Sequence, residues 1–223
     1  NEVMINITKE GPKPNFIAYE GIFYRDSAIV AMVLNETGNI SQIENWIENI
    51  DSMYDMQNGY EEADNLGQVL YLMSLVDNKN EELINEIIEE ANRLKNEDGY
   101  IMGKTDGTYH PVYQTKWLIY GLKSLGMEYQ DWNVPNVNDS YEYLIWFDKD
   151  DQKELKNISD RWPYILFAVL HYNETKIEFP NLEYPISSEY LSSQANFDKL
   201  KIINDDFAKS KLITPHSWSA AEM

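Results

Sequence analysis

The sequence predicts an all-α protein built from helical hairpins, and two features of its 223 residues lead to this prediction. Segments that are apolar at nearly every position alternate with segments that are apolar on one face only, which is the difference between an inner and an outer helix. The fully apolar segments open near Tyr24, Glu62, Tyr113, Arg161 and His216, at successive intervals of 38, 51, 48 and 55 residues. Intervals of about 40 to 50 residues built from helix pairs are typical of stacked α-hairpins.

The first inner helix is predicted over residues 28–34, directly after the polar couple Arg25-Asp26. A carboxylate at the start of a buried helix can accept hydrogen bonds from the free N–H groups of the first turn, and an Arg beside it offers a planar set of donors. The couple therefore predicts either a helix cap with a structural ion pair or the rim of a ligand site. Residues 37–39 predict the end of the helix, and residues 1–20 predict an irregular lead-in.

Three further helices follow in the first half of the chain. An outer helix is predicted over residues 43–54, because a capping-box pattern opens it and apolar residues then recur at spacings of three and four. A second inner helix is predicted over residues 66–73, where Gly67 lets a neighbouring helix pack closely. Asn80 predicts the N-cap of a second outer helix that extends to Leu94.

The second half of the chain continues the alternation after a turn-rich stretch. The pairs Asp98-Gly99 and Asp106-Gly107 bracket this stretch and predict a small hairpin. The further predicted helices are an inner one after residues 110–114, an outer one over 139–147, an inner one after 161–164, an outer one over 190–209 and an inner one after 214–218.

Two architectures fit stacked α-hairpins, an open solenoid with a groove for a partner protein and a closed toroid in which outer helices surround inner ones. In a solenoid more of one helix layer stays in contact with water, so the near-uniform apolarity of the inner helices favours an (α/α) toroid. We expect a single domain over residues 1–223. The chain begins at Asn1 and stops at Met223 inside a predicted helix, so we also expect the toroid to be incomplete, with truncation at one or both ends.

Charge and composition restrict the class of partner. The 18 basic and 38 acidic residues give a net charge of −20, which argues against nucleic acid and anionic membranes as partners and leaves neutral substrates. The sequence contains no cysteine, no phosphate-binding Gly-rich loop, and only three His residues without metal-ligand spacing, so neither a cofactor nor a metal site is predicted. No signal peptide or membrane-spanning stretch is visible, which leaves both a cytoplasmic and a secreted location open, and the oligomeric state is not indicated.

Each predicted inner helix opens with side chains suited to a ligand that carries many hydroxyl groups. Carboxylates, Arg and amides form hydrogen bonds with hydroxyls, and aromatic rings stack on the faces of sugars. Helix capping or an ion pair explains any one set, but five sets at equivalent positions around a toroid predict a carbohydrate-binding pocket. The predicted substrate-binding residues are Tyr24, Arg25, Asp26, Asp64, His110, Tyr113, Gln114, Arg161, Trp162, Tyr164, His216 and Trp218, and the carboxylates Glu61 and Glu62 lie at the second opening.

Four short stretches carry a resemblance to a known family. Residues 24–30 (YRDSAIV), 60–62 (YEE), 188–189 (SE) and 218–222 (WSAAE) resemble, in this order of residues, the Trp-Thr-Arg-Asp-Ser-Ala-Leu-Val, Trp-Glu-Glu, Ser-Glu-Gln and Trp-Ser-His-Ala-Glu elements of glucoamylase-type glycoside hydrolases. Those enzymes belong to the six-hairpin, (α/α)6-toroid glycosidases. Because this chain has five predicted inner-helix openings, the resemblance points to the superfamily more than to the glucoamylase family itself.

The resemblance implies roles for individual residues. Arg25 and Asp26 would hold the sugar at the cleavage subsite, Glu61 would protonate the leaving oxygen, and Glu189 would activate water. In an alternative register Glu62 is the acid. The predicted function is therefore a glycoside hydrolase that acts on a neutral oligo- or polysaccharide by carboxylate acid/base catalysis with inversion. A non-catalytic carbohydrate-binding toroid and a helical-repeat scaffold for a protein partner remain the alternatives.

Overall fold

The structure, a computed structural model, describes residues 2–145, 189–190, 192, 194–202 and 205–222. It is rich in helix with short two-residue strands, which confirms the mostly α class; closure of the hairpins into a toroid stays a prediction. The chain divides into two compact units: a terminal unit, formed by residues 1–43 and 158–223, and a central unit, formed by residues 44–157.

The described helices and strands are short apart from four helices that carry the fold. The helices are α1 Glu2–Ile5, α2 Tyr24–Glu36, α3 Glu44–Glu48, α4 Asp64–Met73, α5 Glu81–Leu94, α6 Pro111–Ser124, α7 Phe197–Leu200, α8 Asp205–Ser210 and α9 Ser217–Glu222, with 3-10 turns at Ile40–Gln42 and Glu142–Ile145. The strands form three antiparallel pairs, which are β1 Ile7–Thr8 with β2 Gly11–Pro12, β3 Lys104–Thr105 with β4 Thr108–Tyr109, and β5 Glu189–Tyr190 with β6 Leu212–Ile213.

In the terminal unit α2 begins at Tyr24, four residues before the predicted apolar run, so Arg25 and Asp26 lie in its first turn instead of in front of it. An acidic residue in a first turn is favoured by the positive end of the helix dipole. The helix ends at Glu36, and Gly38 follows with a φ of +70°, the left-handed conformation that ends many helices. The predicted helix end is thereby confirmed.

The lead-in is anchored to the last helix of the chain. The side-chain amides of Asn6 and Asn15 donate to the carbonyl oxygen of Pro215, at 3.3 and 2.9 Å. The N–H of Ser217, the first residue of α9, donates to the carbonyl oxygen of Pro14 at 2.7 Å. Helix α9 in turn packs on α2, so these contacts bring the two ends of the chain together inside the terminal unit.

In the central unit α4 and α6 cross with their backbones in contact. Every residue of α4 is buried, as predicted for an inner helix. A Cβ on Gly67 would lie 2.2 Å from the carbonyl carbon of Trp117, and a Cβ on Gly121 would lie 2.5 Å from the carbonyl oxygen of Gly67. The close packing predicted at Gly67 is therefore confirmed, and Gly121 is its counterpart on α6.

The two outer helices of the central unit differ in how well the sequence predicted them. Helix α5 matches the prediction, since the Asn80 side chain accepts from the N–H of Leu83 at 3.1 Å and the apolar stripe faces inward. Helix α3 ends at Glu48, six residues before the predicted end. The hydroxyl of Ser52 bonds the N–H and the carbonyl oxygen of Tyr54, at 3.3 and 2.8 Å, and such local bonds compete with helix formation.

A hairpin is present, but it is centred on the second Asp-Gly pair and does not lie between the two pairs as predicted. Its turn is Asp106-Gly107, whose φ angles of +49° and +75° are those of a type I′ turn. The predicted outer helix over 190–209 is instead divided into α7 and α8, which are separated by a turn. The inner helix predicted after 161–164 lies outside the described residues. In the part of the chain that the structure describes, none of the helices has both the length and the apolar character that crossing a membrane requires.

Candidate functional site

Glu62 is a buried carboxylate that ties the β3–β4 turn to the segment before α4. Its Oε1 accepts from the backbone N–H of Asp106 at 2.6 Å, and its Oε2 accepts from the side-chain amide of Asn58 at 2.8 Å. The residue is 2% exposed. Both carboxylate oxygens of Glu62 are therefore engaged by N–H donors within the protein.

Asp64 and Gln114 belong to a largely buried hydrogen-bond network at the N-terminal ends of α4 and α6. Asp64 accepts from the Thr105 hydroxyl at 2.6 Å and from the Gln68 amide at 2.8 Å. The Gln114 amide donates to the Thr105 hydroxyl at 3.0 Å and to the carbonyl oxygen of Gly103 at 3.1 Å. Gln114 Oε1 is buried without a hydrogen-bond partner among the described residues. The network joins α4, the β3–β4 hairpin and α6.

His110 is held by a carboxylate from the loop that follows α6. Its Nδ1 lies 2.8 Å from Oδ1 of Asp139, and its ring stacks on Tyr141 with ring centroids 3.9 Å apart and planes 10° apart. The other carboxylate oxygen of Asp139 accepts from the N–H groups of Val112 and Tyr113 at 3.0 and 3.1 Å. Asp139 thus satisfies the first turn of α6 and orients His110 at the same time.

The same contacts determine the charge of Asp139. Burial by itself would raise the pKa of its carboxyl group, but hydrogen bonds from His110 and from the N–H groups of Tyr141 and Tyr113 outweigh burial. The pKa of Asp139 consequently lies below its ordinary value, and the carboxylate is charged at neutral pH.

Asp106 connects these groups into one row of contacts. Its Oδ2 accepts from the Tyr141 hydroxyl at 2.6 Å, and its Oδ1 lies 3.3 Å from the donating amide of Asn58. Its backbone N–H is the donor to Glu62 described above. The row therefore runs from Glu62 through Asp106 and Tyr141 to His110, along the N-terminal ends of α4 and α6.

A cavity of about 650 Å³ lies beside this row in the central unit. Its size falls in the range of small-molecule sites, about 300–1,000 Å³. It contains Glu61, whose side chain is exposed, whereas the neighbouring Glu62 is buried. The lining residues are Tyr54, Met56, Tyr60, Glu61, Ala63, Glu90, Arg93, Leu94, Gly103, Lys104 and Gly107.

One wall of the cavity is a fixed Tyr–Glu–Arg group. The Tyr54 hydroxyl donates to Glu90 at 2.9 Å, and Arg93 Nε donates to the other oxygen of Glu90 at 2.6 Å. Burial, followed by the hydrogen bond to Glu90, raises the pKa of the Tyr54 phenol far above its ordinary value. The hydrogen bond from Arg93 lowers the pKa of Glu90. Tyr54 thus stays neutral and Glu90 stays charged.

In the terminal unit the structure brings together two of the predicted substrate-binding residues from opposite ends of the chain. His216 Nε2 lies 3.4 Å from Oδ1 of Asp26, an ion-pair distance without hydrogen-bond geometry. His216 Nδ1 lies 2.8 Å from the hydroxyl of Ser219 on α9. Asp26 is 8% exposed and His216 is 1% exposed, so this pair is almost closed to solvent.

The other predicted residues fall into three groups. Tyr24 and Trp218 are buried in the terminal unit at 8% and 7% exposure, and Arg25 is half-buried. Glu189 lies in β5 opposite Ile213, and its side chain is outside the described part. The predicted residues with no described position are Arg161, Trp162 and Tyr164.

Sequence reasoning missed Asp139, Asp106 and Tyr141. The stretch Asn138-Asp139-Ser140 contains residues typical of helix caps, and it lies at the start of the outer helix predicted over 139–147. The structure shows that Asp139 caps α6, across a gap of more than 20 residues in sequence, in addition to accepting locally from the N–H of Tyr141 at 2.9 Å. Such a pairing cannot be read from local pattern.

No cluster of three or more His, Asp or Glu side chains suited to a metal ion occurs within the described residues. Comparison of the chain with protein-family models, with curated proteins and with solved structures finds no match.

Proposed function

We propose that the protein is a glycoside hydrolase that acts on a neutral oligo- or polysaccharide, built as an (α/α) toroid of helical hairpins. The observation that carries the proposal is the cavity of the central unit, which presents the exposed carboxylate of Glu61 beside Tyr54 and Tyr60. Tyrosine rings provide flat apolar faces with a polar edge, and sugars are bound by a combination of such faces and carboxylates. The resemblance at residues 60–62 supports the same assignment.

Glu61 fits the general acid better than Glu62 does. A general acid must deliver a proton to the glycosidic oxygen, so it has to reach the ligand. Glu61 reaches the cavity, whereas both oxygens of Glu62 accept hydrogen bonds inside the protein and the residue is 2% exposed. Glu62 therefore supports the wall of the site by holding the turn at Asp106.

In the proposed reaction Glu61 protonates the leaving oxygen while a base activates water on the opposite face of the sugar. Inversion requires the acid and the base to stand about 6.5–9.5 Å apart, so that a water molecule fits between them and the sugar. The resemblance assigns the base to Glu189. Arg93 and Lys104 are further hydrogen-bond donors for sugar hydroxyls in the cavity.

A second candidate function is carbohydrate binding without hydrolysis. Glu90, the other carboxylate of the cavity, is bound by Arg93 and Tyr54 and has a lowered pKa, so it serves as a fixed acceptor for hydroxyls and not as a proton donor. A cavity in which no acid–base pair faces the ligand would bind sugar and release it unchanged.

The experiment is a panel of neutral glycosides of different linkage, assayed with wild type, Glu61→Gln and Glu62→Gln. We expect hydrolysis of at least one glycoside by the wild type and a loss of about 100-fold or more in kcat for Glu61→Gln, as is usual when a general acid is removed. Glu62→Gln should lower the stability of the protein and should reduce kcat less than Glu61→Gln does. Sugar binding by calorimetry without any turnover would favour the binding function, and neither binding nor turnover would refute both.

A further inference from the structure

Arg93 presents an open edge of its guanidinium group to the cavity that contains Glu61. Two donor atoms of this side chain, Nε and Nη2, bond the carboxylate of Glu90 at 2.6 and 2.5 Å. A guanidinium group is planar and carries five N–H groups, so both hydrogens of Nη1 and the second hydrogen of Nη2 point away from Glu90. The Arg93 side chain is 64% exposed and lines the cavity, which makes these remaining N–H donors available to a ligand there.

The plane of the guanidinium group is fixed by Glu90 and Tyr54, which line the same cavity. Glu90 and Arg93 lie three positions apart in α5, a spacing that places both side chains on one face of the helix. The Glu90 side chain is only 15% exposed, and its Oε1 accepts from the hydroxyl of Tyr54 at 2.9 Å as well as from Arg93 Nη2. Because two parallel bonds join Arg93 to an anchored carboxylate, the open edge keeps one direction.

The open edge has the geometry of a two-point donor. One N–H of Nη1 and one N–H of Nη2 run parallel there, and such a pair binds two oxygen atoms that lie side by side. A carboxylate or a phosphate offers two oxygens of this kind. Two hydroxyl groups on neighbouring carbons of a sugar ring offer them as well, since each hydroxyl oxygen carries two lone pairs. The edge therefore fits an oxyanion or a vicinal diol, and the charge of the cavity decides between them.

The charges around Arg93 favour the neutral diol. The hydrogen bond to Glu90 and the charge of Glu90 raise the pKa of Arg93, and the charge of Glu61 raises it further. The cavity is lined by two acidic side chains, Glu61 and Glu90, and two basic ones, Arg93 and Lys104, so it has no excess of positive charge. An anionic sugar bound at Arg93 would be repelled by both carboxylates, whereas a diol only has to accept hydrogen bonds.

We propose that Arg93 is a specificity-determining residue that binds two hydroxyl groups on neighbouring carbons of a sugar, and that Glu90 and Tyr54 are its positioning residues. The proposal rests on the proposed carbohydrate function of the cavity. It narrows the ligand class to neutral sugars in which the ring bound in the cavity carries an unsubstituted vicinal diol. The subsite contributes to binding, whether or not hydrolysis follows.

The test compares ligands that differ by one hydroxyl group. Binding of the methyl glycosides of glucose, galactose, mannose and xylose is measured by saturation-transfer NMR and calorimetry, and the tightest ligand is then compared with its monodeoxy derivatives. In the wild type we expect removal of either hydroxyl of one neighbouring pair to weaken binding about 10-fold or more, because an N–H donor of a charged group loses its acceptor.

The same ligands are then measured with variants of the subsite. Arg93→Lys keeps the positive charge but replaces the planar edge with a single ammonium group. We expect it to weaken binding of the parent glycoside about 10-fold and to bind the parent and the two deoxy derivatives alike. Glu90→Gln and Tyr54→Phe should show smaller losses confined to the same pair of hydroxyls, whereas a general disturbance of the fold weakens all ligands equally.

Glu89→Gln is the matched control for Glu90→Gln. Glu89 is the preceding residue of α5, it is exposed, and it is not among the residues that line the cavity. The two substitutions remove the same charge from neighbouring positions of one helix. Glu89→Gln should therefore bind the parent glycoside and its deoxy derivatives as the wild type does.

The outcomes separate this inference from the proposed function. If neutral glycosides bind but Arg93→Lys keeps the wild-type ratio between parent and deoxy derivatives, Arg93 does not bind the diol, while the carbohydrate function stands. Tighter binding of methyl glucuronide than of methyl glucoside, lost in Arg93→Lys, would overturn the diol in favour of an oxyanion. Binding without turnover, with the ratio lost in Arg93→Lys, supports the inference and favours the non-catalytic function. A wild type that binds no neutral glycoside refutes both.

Discussion

Replacement of Gly67 by Ala tests the crossing of α4 and α6 on which the central unit depends. The new Cβ would lie 2.2 Å from the carbonyl carbon and 2.3 Å from the carbonyl oxygen of Trp117, and 2.4 Å from the backbone nitrogen of Leu118. Ordinary contact distances for a Cβ are 3.4–4 Å. All three obstacles are backbone atoms, which cannot rotate away as a side chain does. The two helices must therefore separate by roughly 1 Å, which loosens the packing along their whole contact.

The magnitude follows from two opposing terms. Ala favours a helix over Gly by about 1 kcal/mol, and overpacking of a core costs about 1–3 kcal/mol or more. Because the overlap is with backbone, the cost belongs at the upper end of that range, and we expect Gly67→Ala to lower the free energy of unfolding by about 2 kcal/mol or more. Urea denaturation followed by circular dichroism measures this difference.

Two companion variants make the result specific to the crossing. Asn85→Ala places an alanine on the exposed face of α5 and should change stability by no more than about 0.5 kcal/mol. In Gly121→Ala the new Cβ meets the same crossing from α6, at 2.5 Å from the carbonyl oxygen of Gly67. The double variant with Gly67→Ala should lose less than the sum of the single losses, because the helices separate only once. A Gly67→Ala protein as stable as wild type, or more stable, would show that the helices do not touch here.

Two further predictions concern ionisable groups of the central unit. The pKa of Asp139 is lower in the folded protein than in the unfolded chain. The ionised carboxylate therefore stabilises the fold above its unfolded pKa, and this stabilisation is lost as the pH falls through its folded pKa. Between about pH 7 and about pH 3 the urea midpoint should consequently fall less steeply in Asp139→Asn than in wild type. Tyr54→Phe removes the hydrogen bond to Glu90 and should lower the free energy of unfolding by about 1 kcal/mol. Tyr109→Phe, at an exposed position, should change it very little. Equal losses in the two variants would contradict a buried, hydrogen-bonded Tyr54.

The parts of the fold that the sequence predicted well are those decided within a few residues. Asn80 precedes a one-sided apolar stripe and caps α5, and Asp106-Gly107 forms the turn of the hairpin, because cap and turn chemistry act over two to four positions. The apolar run after Asp26 and the strongly apolar run 66–73 of α4 were predicted as buried helices because no face of them suits water. The end of α3 was missed, since the hydroxyl of Ser52 competes with the helix in a way that periodicity does not reveal.

For the candidate site the sequence predicted which residue types begin the buried helices, but not how these residues are arranged. The sequence placed Glu61 and Glu62 together at one opening, and only the structure separates them, with Glu61 in the cavity and Glu62 buried under two hydrogen bonds. The sequence likewise indicated His110 as a polar group at a helix opening, without its partner Asp139.

The sequence by itself determined that α2, α4 and α6 are buried helices, that α5 is apolar on one face, and that the buried helices begin with carboxylates, a histidine and tyrosines. Only the tertiary structure decided which of these side chains form hydrogen bonds inside the protein and which are exposed. The reason is physical: helix type follows from the local period of apolar residues, but the exposure of a carboxylate and the tautomer of a histidine depend on donors and acceptors that distant segments bring to them. At His110 the segment that decides is the loop carrying Asp139, 29 residues further along the chain.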